Sequence, residues 1–238
     1  MTASSRTSAS VLVAALICTL LGSCVGGGAR PHQLLHQDDF RHGLANWHIE
    51  AEQPARIEAR NGVLDIDAPA GVTLWFKPRI EGPVSITFEA TAVAEGGAND
   101  QVSDLNVFWM ASNRDGVEPV FAKQRTGAFA EYNDLLTYYV GLGGNRNTTT
   151  RFRRYIGDPV LRPLLPAHDL DSAEVLLVPN KKQTITLIAD RNTIEYKRDG
   201  KTVFRMEDGS PYTRGWFALR TTQNHLRVER LSIGSLPH

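Results

Sequence analysis

Short runs in which apolar and polar residues alternate, separated by turn-forming residues, dominate this chain from residue 47 to its C-terminus. A period of two is the pattern of a strand with one buried face, so these runs read as strands. They fall at 47–52, 55–60, 63–68, 72–79, 83–93, 102–111, 137–142, 149–156, 173–178, 182–190, 192–197, 201–206, 214–222 and 225–234. Asn61-Gly62 and Asp199-Gly200 sit between such runs and are the strongest hairpin signals present. No stretch after residue 30 keeps a helical period with caps. So many short strands without an internal repeat predict an all-β, two-sheet antiparallel sandwich of the jelly-roll type. Nothing after residue 36 reads as a linker, so 37–238 is expected to form one domain. The longer connections 112–136 and 157–172 are placed to overhang a face, where long loops often carry function.

The N-terminus has a different character. Arg6 precedes an apolar run from Val11 to Leu21, then Gly22 and Ser23. That run is too short for a membrane span and fits a signal peptide over residues 1–23. Leu21-Gly22-Ser23-Cys24 resembles a bacterial lipobox, which makes Cys24 the lipidated first residue of the mature chain. Residues 24–36 then read as the lipidated cysteine and a flexible tether. Val rather than Asp follows Cys24, which points to the outer membrane. Cys18 leaves with the signal, so no free thiol remains for catalysis or disulfides. The 26 Lys and Arg balance the 26 Asp and Glu, and together with an export signal this argues against nucleic acid as a partner.

Alternation also assigns faces. Leu105, Val107 and Trp109 should point at the opposite sheet, leaving Asp104, Asn106 and Phe108 outside. By the same count Tyr139, Arg151, Arg153, Tyr155, Trp216, Arg220, Trp75 and Lys77 face outward. A solvated face rarely holds so many large aromatics, because exposing them is unfavourable. Aromatic rings stack on sugars and arginine forks match carboxylates, so this face is expected to be a groove for an acidic polysaccharide. The competing reading is that a loop or a partner covers it. The densest cluster, Gly143-Gly144-Asn145-Arg146-Asn147-Thr148-Thr149-Thr150-Arg151-Phe152-Arg153-Arg154-Tyr155, combines four arginines with residues that accept unusual backbone angles.

Other chemistries find less support. The chain has no Gly-x-Ser-x-Gly elbow, P-loop, dinucleotide fingerprint or His-Glu-x-x-His motif. Its seven histidines are scattered, without the paired spacing of a zinc site, and no metal or cofactor is expected beyond a structural calcium. Asp38 and Asp39 offer oxygens for such a calcium, against the commoner turn or strand-start role. Glycoside hydrolysis needs two carboxyl groups. Asp104 is one candidate, and only the loop acids Glu118, Glu131 and Asp134 are left to supply the other.

The segments Ser103–Ala111, Tyr138–Asn145, Thr149–Tyr155 and Gly215–Thr222, with Asp38-Asp39-Phe40 and Gly71–Phe76, resemble the YesU-like family of bacterial domains associated with pectin and rhamnogalacturonan utilisation. The resemblance runs from about residue 36 to the C-terminus and implies a concanavalin-A-like lectin/glucanase sandwich with a carbohydrate ligand. It supplies no catalytic residues.

The function expected first is a polysaccharide lyase that cleaves a uronate glycan by β-elimination. Arg151, Arg153 and Asn106 would neutralise the substrate carboxylate. Tyr139, its pKa depressed by arginines, would be the base, and Tyr155 or His225 the acid. Trp75, Lys77, Phe108, Trp216 and Arg220 complete the expected binding surface. The alternatives are a non-catalytic carbohydrate-binding lipoprotein and a glycoside hydrolase that uses Asp104.

Overall fold

The computed structural model describes residues 1–2 and 33–237. Most of the signal peptide, Cys24 and most of the tether lie outside those residues. Fifteen strands follow: β1 (Leu34–Asp38), β2 (Trp47–Ala51), β3 (Arg56–Arg60), β4 (Val63–Ala68), β5 (Val72–Glu81), β6 (Val84–Ala92), β7 (Leu105–Asn113), β8 (Leu135–Gly143), β9 (Thr149–Ile156), β10 (Asp169–Leu170), β11 (Gln183–Asp190), β12 (Thr193–Arg198), β13 (Lys201–Glu207), β14 (Arg214–Thr221) and β15 (Asn224–Ser235). They form two antiparallel sheets, the expected sandwich. One runs β13-β12-β11-β6-β15-β4-β3, with β1 also on β15, and the other runs β10-β9-β8-β7-β14-β5-β2.

The inner faces interlock as alternation requires. Val72, Leu74 and Phe76, Leu105, Val107 and Trp109, Tyr138, Val140 and Leu142, and Phe217 and Leu219 all join one core with Val84, Ile86, Phe88, Ile185, Leu187, Val228 and Ile233 of the facing sheet. Trp109 stacks on Phe152 with centroids 5.8 Å apart. Phe217 sits within 5.9 Å of Phe88 and 6.3 Å of Trp47, which ties the two sheets at mid-core.

Several boundaries differ from the sequence reading. Residues 34–36, expected as tether, belong to β1 and pair with Gly234 and Ile233. β7 begins at Leu105 and not at 102, because Val102 (φ 50°) and Asp104 (φ 51°) take left-handed backbone that breaks the ladder. It ends at Asn113, past a register shift beside Met110, whose φ is 54°. The expected strand 173–178 is a 3-10 turn at Ala173–Val175 followed by extended chain. The tight turn after β8 is left-handed at Gly143 (φ 67°), Asn145 (φ 53°), Arg146 (φ 58°) and Asn147 (φ 59°), as its Gly and Asn content allows.

The outer face of the seven-stranded sheet is not open. Trp75, Phe108, Tyr139, Tyr155, Trp216 and Ala218 form a second apolar cluster with Val120, Tyr132 and Leu135, and Phe121 and Phe129 pack on it. The connection between β7 and β8 therefore lies over this face as a strap, which is the covering-loop reading of the aromatic set.

Two outcomes follow for stability. Phe217→Ala should lower the unfolding free energy by about 3–5 kcal/mol in urea titration, while Val160→Ala, at an exposed loop position, should change it by less than about 0.5 kcal/mol. Burial raises the phenols of all six tyrosines, with Asp208 adding to the effect at Tyr138 and Glu50 at Tyr132. A phenol raised in the folded state favours folding fully below the unfolded tyrosine value of about 10 and loses that contribution above it. The melting temperature should therefore fall steeply from about pH 10 upward, and this fall should shrink in Tyr138→Phe.

Candidate functional site

Strand register arranges the outer face of the seven-stranded sheet into two parallel rows. The first is polar: Glu50 on β2, Thr73 on β5, Arg220 on β14, Asn106 on β7, Gly141 on β8, Arg151 on β9 and Asp169 on β10 sit side by side across the sheet. The second runs His48, Trp75, Ala218, Phe108, Tyr139 and Arg153. Neighbouring rings on it touch, with Trp75–Phe108 at 5.8 Å and Phe108–Tyr139 at 5.0 Å. The strap covers the middle of both rows. Toward β9 they open into a cleft of about 330 Å³.

Asp104, Phe129, Tyr139, Gly141, Gly144, Asn145, Thr149, Arg151, Arg153 and Arg162 line that cleft. Asp104 is held from both sides: Asn106 Nδ2 donates to its Oδ1 at 3.2 Å and Thr222 Oγ1 to its Oδ2 at 2.9 Å. Arg151 forks onto Asp169 through Nε at 2.7 Å and Nη2 at 3.3 Å, so its charge is largely neutralised. Arg153 donates to the carbonyl of Arg162. Burial and the adjacent guanidiniums of Arg162 and Arg151 push Arg153 downward. Among the described residues neither Arg153 nor Arg162 has a carboxylate within 4.0 Å. The cleft thus holds two cations without acids beside them, against one carboxylate of its own. The Tyr139 hydroxyl reaches over Gly141, where a Cβ would come within 2.7 Å of it, so glycine is what lets the phenol enter the cleft.

Of the expected site residues, the structure brings Asp104, Tyr139, Arg151 and Arg153 together. Trp75, Phe108, Tyr155 and Trp216 are not open stacking platforms, because the strap buries each of them to at least 96%. Arg220 and Asn106 are also covered, at 2% exposure each. Lys77 lies outside the cleft and donates to the carbonyl of Ala45. His225 belongs to the other sheet, its ring between Asp65 (3.2 Å) and Asp100 (3.1 Å), and takes no part in this cleft. The expected depression of Tyr139 is reversed. Burial, with Tyr155 and Asp104 adding to it, holds the phenol well above its ordinary value and outweighs Arg220 and Arg153. Asp38 takes the turn role, accepting from Phe40 N, Asn46 Nδ2 and Trp47 Nε1. Among the described residues no cluster of three or more His, Cys, Asp or Glu is placed to hold a metal ion.

The reading from sequence missed Phe129 and Arg162. Both lie on the two long connections expected to overhang a face, and that length was the one available signal. Phe129 stands between cations: Arg162 Cζ is 5.5 Å and Arg220 Cζ 5.0 Å from its ring centroid.

No curated protein matches the chain. Among solved structures, a Bacillus subtilis protein of unknown function with a galectin-like fold is similar at a TM-score of 0.67 and 15% identity, over 86% of this chain and 97% of that one. β-Agarase B from Zobellia galactanivorans follows at 0.54 and 11%, over 90% and 96%. An endo-β-1,3-glucanase from Pyrococcus furiosus gives 0.54 and 10%, over 86% and 94%. At these identities the likeness is one of fold, the jelly-roll sandwich. The domain of unknown function DUF6250 matches residues 66–231, most of the sandwich, and the chain belongs to that family.

Proposed function

We propose that this is a carbohydrate-active domain whose cleft takes the carboxylate of an acidic saccharide. The observation that carries the reading is the pair Arg153 and Arg162, two guanidiniums without carboxylate partners beside one cleft. Unpaired arginines in a half-buried site favour an anion that forks onto them. The similar folds of an agarase and a glucanase support a carbohydrate ligand. The resemblance to the YesU-like proteins makes pectic polyuronates the first ligands to try. Lipidation at Cys24, with anchoring in the outer membrane, belongs to the same proposal and would place the cleft where exported enzymes meet polysaccharide.

The reaction class that the cleft supports is β-elimination. Arg153 and Arg162 would neutralise the uronate carboxylate and so acidify the proton on the adjacent carbon. Asp104 is the one carboxylate lining the cleft, and it would take that proton. The carbon–oxygen bond to the leaving sugar then breaks as a carbon–carbon double bond forms. Tyr139, kept protonated by burial, would donate to the departing oxygen. These roles replace Tyr139 as base and Tyr155 or His225 as acid. Hydrolysis loses ground because the loop acids are engaged elsewhere: Glu118 with Arg79, Glu131 with Thr126 and Asp134 with Lys123. The non-catalytic reading keeps one specific observation, that both Asp104 oxygens already accept hydrogen bonds.

The test is to incubate the purified protein with polygalacturonate, alginate, glucuronan and a neutral glucan, following ultraviolet absorbance of unsaturated uronate together with reducing ends. Both signals rising on one polyuronate establish the lyase. Binding without either signal establishes the binding domain, and binding to the glucan alone overturns the acidic ligand. Arg153→Ala should weaken polyuronate binding by about tenfold or more in calorimetry, the scale of one lost charge-assisted hydrogen bond. If cleavage occurs, Tyr139→Phe should lower kcat by about 10²-fold or more with KM nearly unchanged, because the phenol is needed for proton transfer.

A further inference from the structure

The polar row does not stop where the cleft closes. Beneath the strap it continues through Asn106, Arg220 and Thr73 to Glu50, and three of these side chains carry a buried polar atom without a partner: Asn106 Oδ1, Arg220 Nε and Glu50 Oε1. Each residue is at least 97% buried. A buried orphan costs free energy, and three within four consecutive positions of one row form a pattern rather than an isolated lapse. At its far end the row reaches a second opening, lined by His48, Glu50, Phe121, Gln124, Arg125 and Thr126. With strands about 4.8 Å apart, Glu50 and Gly141 stand about 19 Å from one another, the span of several sugar rings.

The strap that separates the two openings packs Tyr132 on Trp75 and Phe108 and Phe129 on Tyr139, and its polar ties to the sheet run to the covered row. Arg220 Nη1 donates to the Gly127 carbonyl at 2.7 Å, and Tyr132 donates its hydroxyl to Glu50 Oε2 at 2.6 Å. The Arg220 guanidinium lies 5.0 Å from the rings of both Phe129 and Tyr132. Both of these polar anchors, Arg220 and Glu50, are therefore members of the covered row itself. Phe129 also meets Arg162 of the open cleft, so an anion that draws on Arg162 acts on the same ring that Arg220 holds.

We infer that the Thr126–Tyr132 strap is a displaceable cover over a second binding segment, in which Glu50, Arg220 and Asn106 take the hydroxyls of a saccharide chain that continues from the open cleft. This rests on the proposed carbohydrate function and deepens it: the ligand is a chain entering at Arg153 and passing under the strap toward His48, not a single terminal sugar. Glu50 Oε1 and Asn106 Oδ1 accept hydroxyl protons there, and Arg220 Nε donates. These bonds, with sugar-ring faces laid on Trp75 and Phe108, take the place of the strap's Gly127 and Tyr132 contacts.

The test uses the full chain with the polyuronate that binds, presented as its monomer and as a short oligomer. Calorimetry should show the oligomer binding at least about tenfold tighter than the monomer, and Glu50→Gln should cut that ratio by about tenfold. Amide exchange over residues 126–132 of the unaltered protein should change on adding the oligomer and stay as it is with the monomer. That readout keeps the inference open to refutation if Glu50→Gln fails to fold. Equal affinities with unchanged exchange in the strap would overturn the covered segment and leave the acidic-saccharide cleft standing. Failure of both ligands to bind would remove the functional reading and this inference with it.

Discussion

Arg220 is a cation held in an apolar cluster without a carboxylate within 4.0 Å among the described residues, and the outer face of the seven-stranded sheet is arranged around it. Its guanidinium bonds Thr73 on the neighbouring strand and the Gly127 carbonyl on the strap, and it faces two aromatic rings. A charge so placed is tolerable only while its donors find acceptors and its faces find π-systems. The strap supplies both. It also buries Trp75, Phe108 and Trp216, which would otherwise present a large apolar surface to water.

The cleft inherits its electrostatics from this arrangement. Of the three arginines that line the cleft, only Arg151 is matched to an acid, Asp169. Arg153 and Arg162 are left facing the space that Asp104 and Tyr139 border. Tyr139 enters that space because position 141 has no side chain, and it stays protonated because it is enclosed. The same enclosure that denies it the role of base keeps it protonated, which leaves it the acid's part in the proposed reaction. Desolvation outweighs the nearby guanidiniums here, the opposite of what their spacing in sequence implied.

The sequence already determined the sandwich and, away from the register shift at Met110 and Ala111, the side of the sheet on which the residues of its central strands lie. Alternation is a local property, since successive side chains of a strand point to opposite faces whatever lies beyond them. Leu105, Val107 and Trp109 therefore enter the inner core as expected, and Asn106 and Phe108 the opposite side. The sequence likewise placed Tyr139, Arg151 and Arg153 together, because hydrogen-bonded neighbours in an antiparallel hairpin follow from a short turn.

Only the tertiary structure decided what each face meets. Whether Trp75 and Phe108 stack on a ligand or lie beneath a loop depends on where residues 114–134 settle, and no periodicity in a connecting segment encodes that. Phe129 and Arg162 became neighbours across separate connections, a contact set by packing between loops and not by spacing along the chain. His225 was separated from the cleft for a similar reason: β15 pairs with β4 and β6 in the other sheet, and strand partnership is a long-range choice made by burial of the whole core.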